Sequence, residues 1–135
     1  IICALQGAKK VHSVDISKYA ICSTIINMYL FDLENKTKVY KSDLFNNIKE
    51  KFDVIVFNHP YFSGTPSSEL EQVIFMEKQM FSDFFNQFPA FLNKNGLVLM
   101  PYSYLAEPGN NPQKELESRN IPYDEIVYMD KNGKH

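Results

Sequence analysis

Apolar residues along the chain come in two rhythms. Val54-Ile55-Val56-Phe57 is a continuous apolar run rich in β-branched residues, and Leu97 to Met100 is another. Runs without polar alternation predict strands covered on both faces, as in a parallel sheet. Between them Leu70, Val73, Ile74, Met80, Phe81, Phe84 and Phe85 recur at helical spacing, which predicts a long helix from Glu69 to about Phe85. Earlier, Ile21, Thr24, Ile25 and Met28 mark one face of a helix capped by Ser17 and ending near Leu30.

Shorter elements fill the intervals. Ile1 to Leu5 reads as the last turns of a helix stopped by Gly7. Lys10 to Ile16 reads as a strand with Val11 and Val14 inward, and Lys38 to Lys41 as a second. Asn46 to Lys51 reads as a weak helix or turn. Gly64 and Pro66 argue against regular structure from Ser63 to Ser68. Pro89 predicts a kink or a fresh helix start, and Asn93 to Gly96 a turn. Pro112 suits the first turn of a short helix through Arg119, and Tyr123 to Met129 the last strand. This alternation of strand and helix predicts an α/β fold: a Rossmann-like, doubly wound, mainly parallel sheet with helices on both faces.

Length and charge narrow the class. With 135 residues the chain suits a single domain over 1–135, and a net charge of -2 argues against broad, nonspecific nucleic-acid affinity. Lys9, Lys10 and Lys18, and again Lys36, Lys38 and Lys41, cluster in sequence and read as solvated surface. Cys3 and Cys22 have no partners at metal-ligand spacing. They read as reduced, buried thiols of a cytoplasmic protein, and no metal is expected. No apolar run is long enough to span a bilayer, and no signal-peptide pattern appears. The chain starts on Ile1 in what reads as mid-helix and stops just past Asn132-Gly133, so both ends are expected to be incomplete.

Candidate chemistry gathers at strand ends. Asp15, Asp43 and Asn58 each follow a predicted strand, on the edge where open α/β sheets bind ligands. An acidic residue there suits ribose hydroxyls or an amino group, though Asp is equally at home as a cap or turn residue. Pro60 fixes its own φ and restrains His59. Asn58, a stiff backbone and the flat ring of Tyr61 would clamp a planar, amino-bearing group.

Taken in order, Gly-Ala-Lys-Lys-Val-His-Ser-Val-Asp-Ile-Ser, Ser-Asp-Leu-Phe, Phe-Asp-Val-Ile-Val-Phe-Asn-His-Pro-Tyr-Phe and Leu-Asn-Lys-Asn-Gly-Leu-Val-Leu-Met resemble the class I S-adenosylmethionine-dependent methyltransferases. The resemblance is to the branch with an Asn-Pro-Pro-Tyr motif, which acts on nucleic-acid amino groups or on protein glutamine. It implies that Asp15 holds the cofactor ribose, Ile16 flanks the adenine, and Asp43 with Leu44 binds the adenine edge. It implies further that Asn58 and the His59 carbonyl accept hydrogen bonds from the substrate nitrogen, and that Tyr61 stacks on the target; Asn58 also borders the cofactor. The implied partner is RNA, DNA or a protein glutamine.

Two departures stand out. His59 occupies a position where that branch usually has proline, and the glycine-rich loop is missing, the sequence beginning just after the point where that loop is expected to end. A cofactor-binding strand is therefore expected to be absent from the sheet. A non-catalytic, methyltransferase-like interaction protein and a dehydrogenase-type nucleotide binder are the competing readings, and the Asn-His-Pro-Tyr stretch has no role in the latter.

Overall fold

The computed structural model describes residues 1–60, 62–65, 67–68, 71, 75–76, 78–102 and 111–127. They fall into two compact units, Ile1–Glu50 and Lys51–His135. Each is built on parallel strand pairs joined through helices, so the mixed α/β, parallel architecture expected from the sequence is present.

In the first unit, helix α1 (Ile2–Leu5) ends toward Gly7, whose φ of 100° only glycine adopts readily. Strand β1 (Val11–Asp15) pairs in parallel with β2 (Thr37–Lys41), with Val11 opposite Thr37 and Asp15 opposite Lys41. Helix α2 (Lys18–Leu30) makes the crossover. Ser17 caps it, its side chain accepting from the Ala20 N–H, as the sequence indicated. Ile21, Thr24 and Ile25 are half-buried and Met28 is buried, so the expected stripe faces inward. Ala4, Met28, Leu33 and Phe45 are the buried apolar residues of this unit. Val11 and Val14 are both half-buried.

In the second unit, β3 (Phe52–Val56) pairs in parallel with β6 (Leu92–Leu99). Helix α3 (Lys78–Phe91) leads directly into β6. Its aromatic stripe forms the core: Phe81, Phe84, Phe85 and Phe88 are all buried, and Phe57 stacks on Phe84 with ring centres 4.0 Å apart. Phe88 belongs to this cluster although the sequence reading stopped the stripe at Phe85. Arg119, just past helix α4 (Pro112–Ser118), reaches the Ser82 hydroxyl and lies over the Phe85 ring, so α4 is tied to α3. A short parallel pair joins β4 (Phe62–Ser63) and β5 (Phe75–Met76).

Several expectations are corrected. Strand β3 is covered on one face only. Ile55 is buried and Phe57 meets α3, but Val54 and Val56 are 46% and 56% exposed, as are their partners Leu97 and Leu99 at 47% and 52%. Alternate residues point to opposite faces, so an all-apolar run leaves one apolar face open when only one is packed. Helix α3 starts at Lys78 rather than Glu69, because Phe75 and Met76 are held as a strand by β4. That strand also takes Ser63 from the expected irregular stretch, of which Pro66 lies outside the described residues.

Helix α3 passes through Pro89 to Phe91 instead of starting anew, since only its last turn lies beyond the missing N–H. The expected turn at Asn93–Gly96 is absorbed as an irregularity within β6. Partners advance from Leu92 to Leu97 while β3 advances only from Phe52 to Val54, and Asn95 takes a φ of 65°. Residues 123–127 form no strand, and 128–129 lie outside the described residues. Cys3 and Cys22 are free but exposed, not buried, because each falls on the outer face of its helix.

Candidate functional site

The carboxyl end of the β1–β2 pair gathers four of the sequence-derived residues. The Ser42 N–H donates to the Asp15 carbonyl at 3.1 Å, which ties the exit of β2 to the end of β1. Asp15, Ile16 and Asp43 are exposed there and Leu44 is half-buried. One Asp15 oxygen, Oδ1, accepts from the Ser17 N–H at 2.8 Å. This is the turn role that residue type alone allowed, and it orients the carboxylate without using its second oxygen. Asp43 opens a turn, its carbonyl accepting from the Asn46 N–H at 3.0 Å.

Leu44 has a φ of 43°, uncommon for a residue with a side chain. Ser42, missed by the sequence reading, accounts for how that conformation is held. It is 2% exposed. Its hydroxyl donates to the Leu44 carbonyl at 2.9 Å and accepts from the Asn47 N–H at 3.1 Å. Asn47 Nδ2 donates in turn to the Lys41 carbonyl at 2.8 Å. The available signal was a small hydroxyl residue at a strand exit, followed at a short interval by Asn. Two exposed carboxylates beside an exposed isoleucine make a surface suited to hydroxyls and a flat apolar ring.

The second group lies in the other unit, at the carboxyl end of β3. The Phe57 N–H donates to the Leu99 carbonyl at 3.0 Å, the last rung of the ladder. The chain then alternates: Asn58 is exposed, His59 is 1% exposed, and Pro60 is half-buried. His59 is turned into the protein, with its ring 5.1 Å from Phe81 and 5.9 Å from Phe57 between centres. Its Nδ1 lies 2.9 Å from the Pro60 carbonyl. Burial pushes its pKa below the usual histidine value, although the Pro60 and Pro101 carbonyls favour the protonated ring. Tyr61 lies outside the described residues.

A third cluster, on one face of the β1–β2 pair, was not anticipated. The register sets His12 beside Lys38 and Val14 beside Tyr40. Lys10 Nζ donates to Glu50 Oε1 at 2.7 Å, Lys38 lies 3.8 Å from Glu50, and His12 Nδ1 is hydrogen-bonded to the Tyr40 hydroxyl at 2.9 Å. Burial lowers the pKa of His12 and raises that of Tyr40. The lysines from two separate stretches thus meet across the strand pair around one acid.

Parallel β–α–β units with acidic residues at the exits of β1 and β2 and Asn-x-Pro at the exit of β3 are the pattern expected of a class I methyltransferase. The family described as rRNA (uridine-N3-)-methyltransferase BTM5-like matches residues 3–127, and the chain belongs to that BMT5-like family. The chain is also 28% identical over 145 residues to a protein of Methanocaldococcus jannaschii named, provisionally, a protein N5-glutamine methyltransferase. That match covers 96% of this chain and 73% of the relative. Among the described residues no helix is long and apolar enough to cross a membrane.

Proposed function

We propose that this chain is an S-adenosylmethionine-dependent N-methyltransferase whose target is a uridine-like imide nitrogen in RNA. The observation that carries the reading is the exposed amide of Asn58, held at a strand exit just ahead of a buried histidine and a proline. A primary amide offers one acceptor and two donors. Its oxygen can accept the imide N–H while its nitrogen donates to the adjoining carbonyl oxygen, so the base edge is fixed in plane. The His59 carbonyl is a further acceptor, and the Tyr61 ring a stacking surface. Base–aromatic stacking contributes about 1–3 kcal/mol.

The cofactor supplies a methyl group on a sulfonium, ready for in-line displacement. The second oxygen of Asp15 would take the ribose hydroxyls, Ile16 the adenine face, and Asp43 with Leu44 the adenine edge. These residues fit that group, since Asp15, Ile16 and Asp43 are exposed at the shared carboxyl end of β1 and β2, with the turn after β2 already braced by Ser42. Asn58 does its work by orientation: an imide or amide nitrogen is a poor nucleophile, and holding its lone pair on the line of attack supplies much of the acceleration, while the proton the nitrogen loses as its bond to the methyl group forms passes to solvent. The free cysteines suit a reducing, cytoplasmic setting.

A protein glutamine is the second reading, favoured by the name of the archaeal relative. A glutamine amide carries two N–H groups, which the Asn58 oxygen and the His59 carbonyl could accept. Incubation with a tritium-labelled methyl donor and separate RNA, DNA and protein fractions tests both. Label recovered as N3-methyluridine after nuclease digestion is the expected result. Label in glutamine would establish the second reading, and no label in any fraction would refute both.

A further inference from the structure

We infer that His59 is a positioning residue, a buried pin that fixes the turn from which Asn58 projects; the catalytic part of this inference rests on the role proposed for Asn58. Three observations converge on it. The ring is almost wholly buried, while the residue before it is exposed. It sits against Phe81 of α3 and Phe57 of the β3 exit, with the Phe81 contact edge-on. Its Nδ1 is 2.9 Å from the Pro60 carbonyl.

The Pro60 and Pro101 carbonyls both favour a protonated ring; a carbonyl can only accept, so the 2.9 Å contact to Pro60 is a hydrogen bond in the tautomer that carries its proton on Nδ1. The mechanical effect follows from what each group restrains. The pyrrolidine ring of Pro60 fixes its φ. The direction of the Pro60 carbonyl reports its ψ, and the His59 Nδ1–H holds that carbonyl. Both backbone torsions of Pro60 are therefore restrained, one covalently and one by a side chain that is itself wedged between two aromatic rings. Phe81 is 4% exposed and stands in a run of packed phenylalanines, so the wedge bears on the aromatic core of this unit.

Asn58 is thus tied on both sides, by the Phe57 N–H rung to the Leu99 carbonyl before it and by the buried His59 ring after it; without the second tie its amide would sample other directions. Misplacement of a reacting group by about 1 Å can cost on the order of 100-fold in rate. The imidazole thus serves the site without facing the substrate.

The test uses the full chain and two variants that keep most of the side-chain volume. His59→Phe fills the aromatic cage but has no donor; His59→Asn places an amide N–H near the position of Nδ1. Long-range nitrogen–proton correlation spectra of the wild type should show the Nδ1–H tautomer for His59. The Asn58 side-chain amide should give sharp resonances in wild type and His59→Asn, but broadened ones in His59→Phe. In the methyl-transfer assay kcat should fall about 10- to 100-fold in His59→Phe, with KM for the methyl donor within about 3-fold, and recover at least partly in His59→Asn. An Nε2–H tautomer, or unchanged Asn58 resonances in His59→Phe, would overturn the pin whether or not the protein methylates the expected substrate. Intact pinning spectra with no methyl transfer by the wild type would instead refute the functional reading and leave the structural one standing.

Discussion

Single side chains at the two strand exits have separable duties. In the proposed site Asn58 orients the substrate nitrogen and only borders the cofactor, so Asn58→Ala should lower methyl transfer by about 100- to 1,000-fold, the loss typical of removing one preorganised polar group. Donor affinity measured by calorimetry should stay within about 3-fold; a large loss of donor binding would assign Asn58 to the cofactor instead. Asp15 is the converse case. Its Oδ1 already serves the Ser17 N–H at 2.8 Å, and Asn can keep that contact. Asp15→Asn should therefore fold normally yet bind the donor about 10-fold more weakly, because a hydrogen bond to a charged acceptor is replaced by a neutral one. Unchanged donor affinity would reduce Asp15 to a turn residue.

At the scale of elements, the turn after β2 depends on one buried hydroxyl. Ser42→Ala leaves the Leu44 carbonyl and the Asn47 N–H without that partner and should destabilise the fold by about 1–3 kcal/mol. Urea unfolding measures that loss, and a change of a few tenths would show that water substitutes for the hydroxyl. In β6 a Cβ on Gly96 would stand 2.9 Å from Leu92 Cγ and 3.0 Å from the Asn93 carbonyl, so Gly96→Ala should cost about 1–3 kcal/mol in the same measurement.

The sequence disclosed these exits better than the elements around them. Apolar runs and caps located β1, β2, β3, α2 and α4, because each is dictated locally by a β-branched run, by Ser17 or by Pro112. It could not disclose β5, where Phe75 and Met76 fit a helical pattern equally well and only their pairing with Phe62 and Ser63 decides. Nor could it disclose that Asn93–Gly96 bulges inside a continuous strand, since turn residues look alike in a loop and in a bulge. The identity of Asp15, Asp43 and Asn58 as strand-end residues was legible; the inward turn of His59 was not, because burial of one ring depends on Phe57 and Phe81 arriving from different elements.

For the molecule as a whole, the two buried imidazoles set the direction of its acid response. Burial lowers the pKa of both His12 and His59 from the usual value of about 6.5. A depressed folded-state pKa means that the unfolded chain takes up the proton first as pH falls. The stability these rings contribute is thus fully present above about pH 6.5 and is lost progressively down to the folded pKa values, below which the loss levels off. Glu50 and Glu71 act in the same sense at lower pH. The Lys10 hydrogen bond holds Glu50 below the ordinary carboxylate value, and the Ser67 N–H and hydroxyl do so for Glu71. Both are exposed, so their share is small and screened by salt. Thermal unfolding followed by circular dichroism should give a Tm that falls between pH 7 and pH 5.5, with little dependence on salt. In a His12→Asn, His59→Asn double variant the Tm should be lower at pH 7 but its fall over that interval shallower, because the groups that take up protons on unfolding are gone. A Tm that rises toward pH 5.5 in the wild type, or an equally steep fall in the double variant, would show that these two rings do not govern the response.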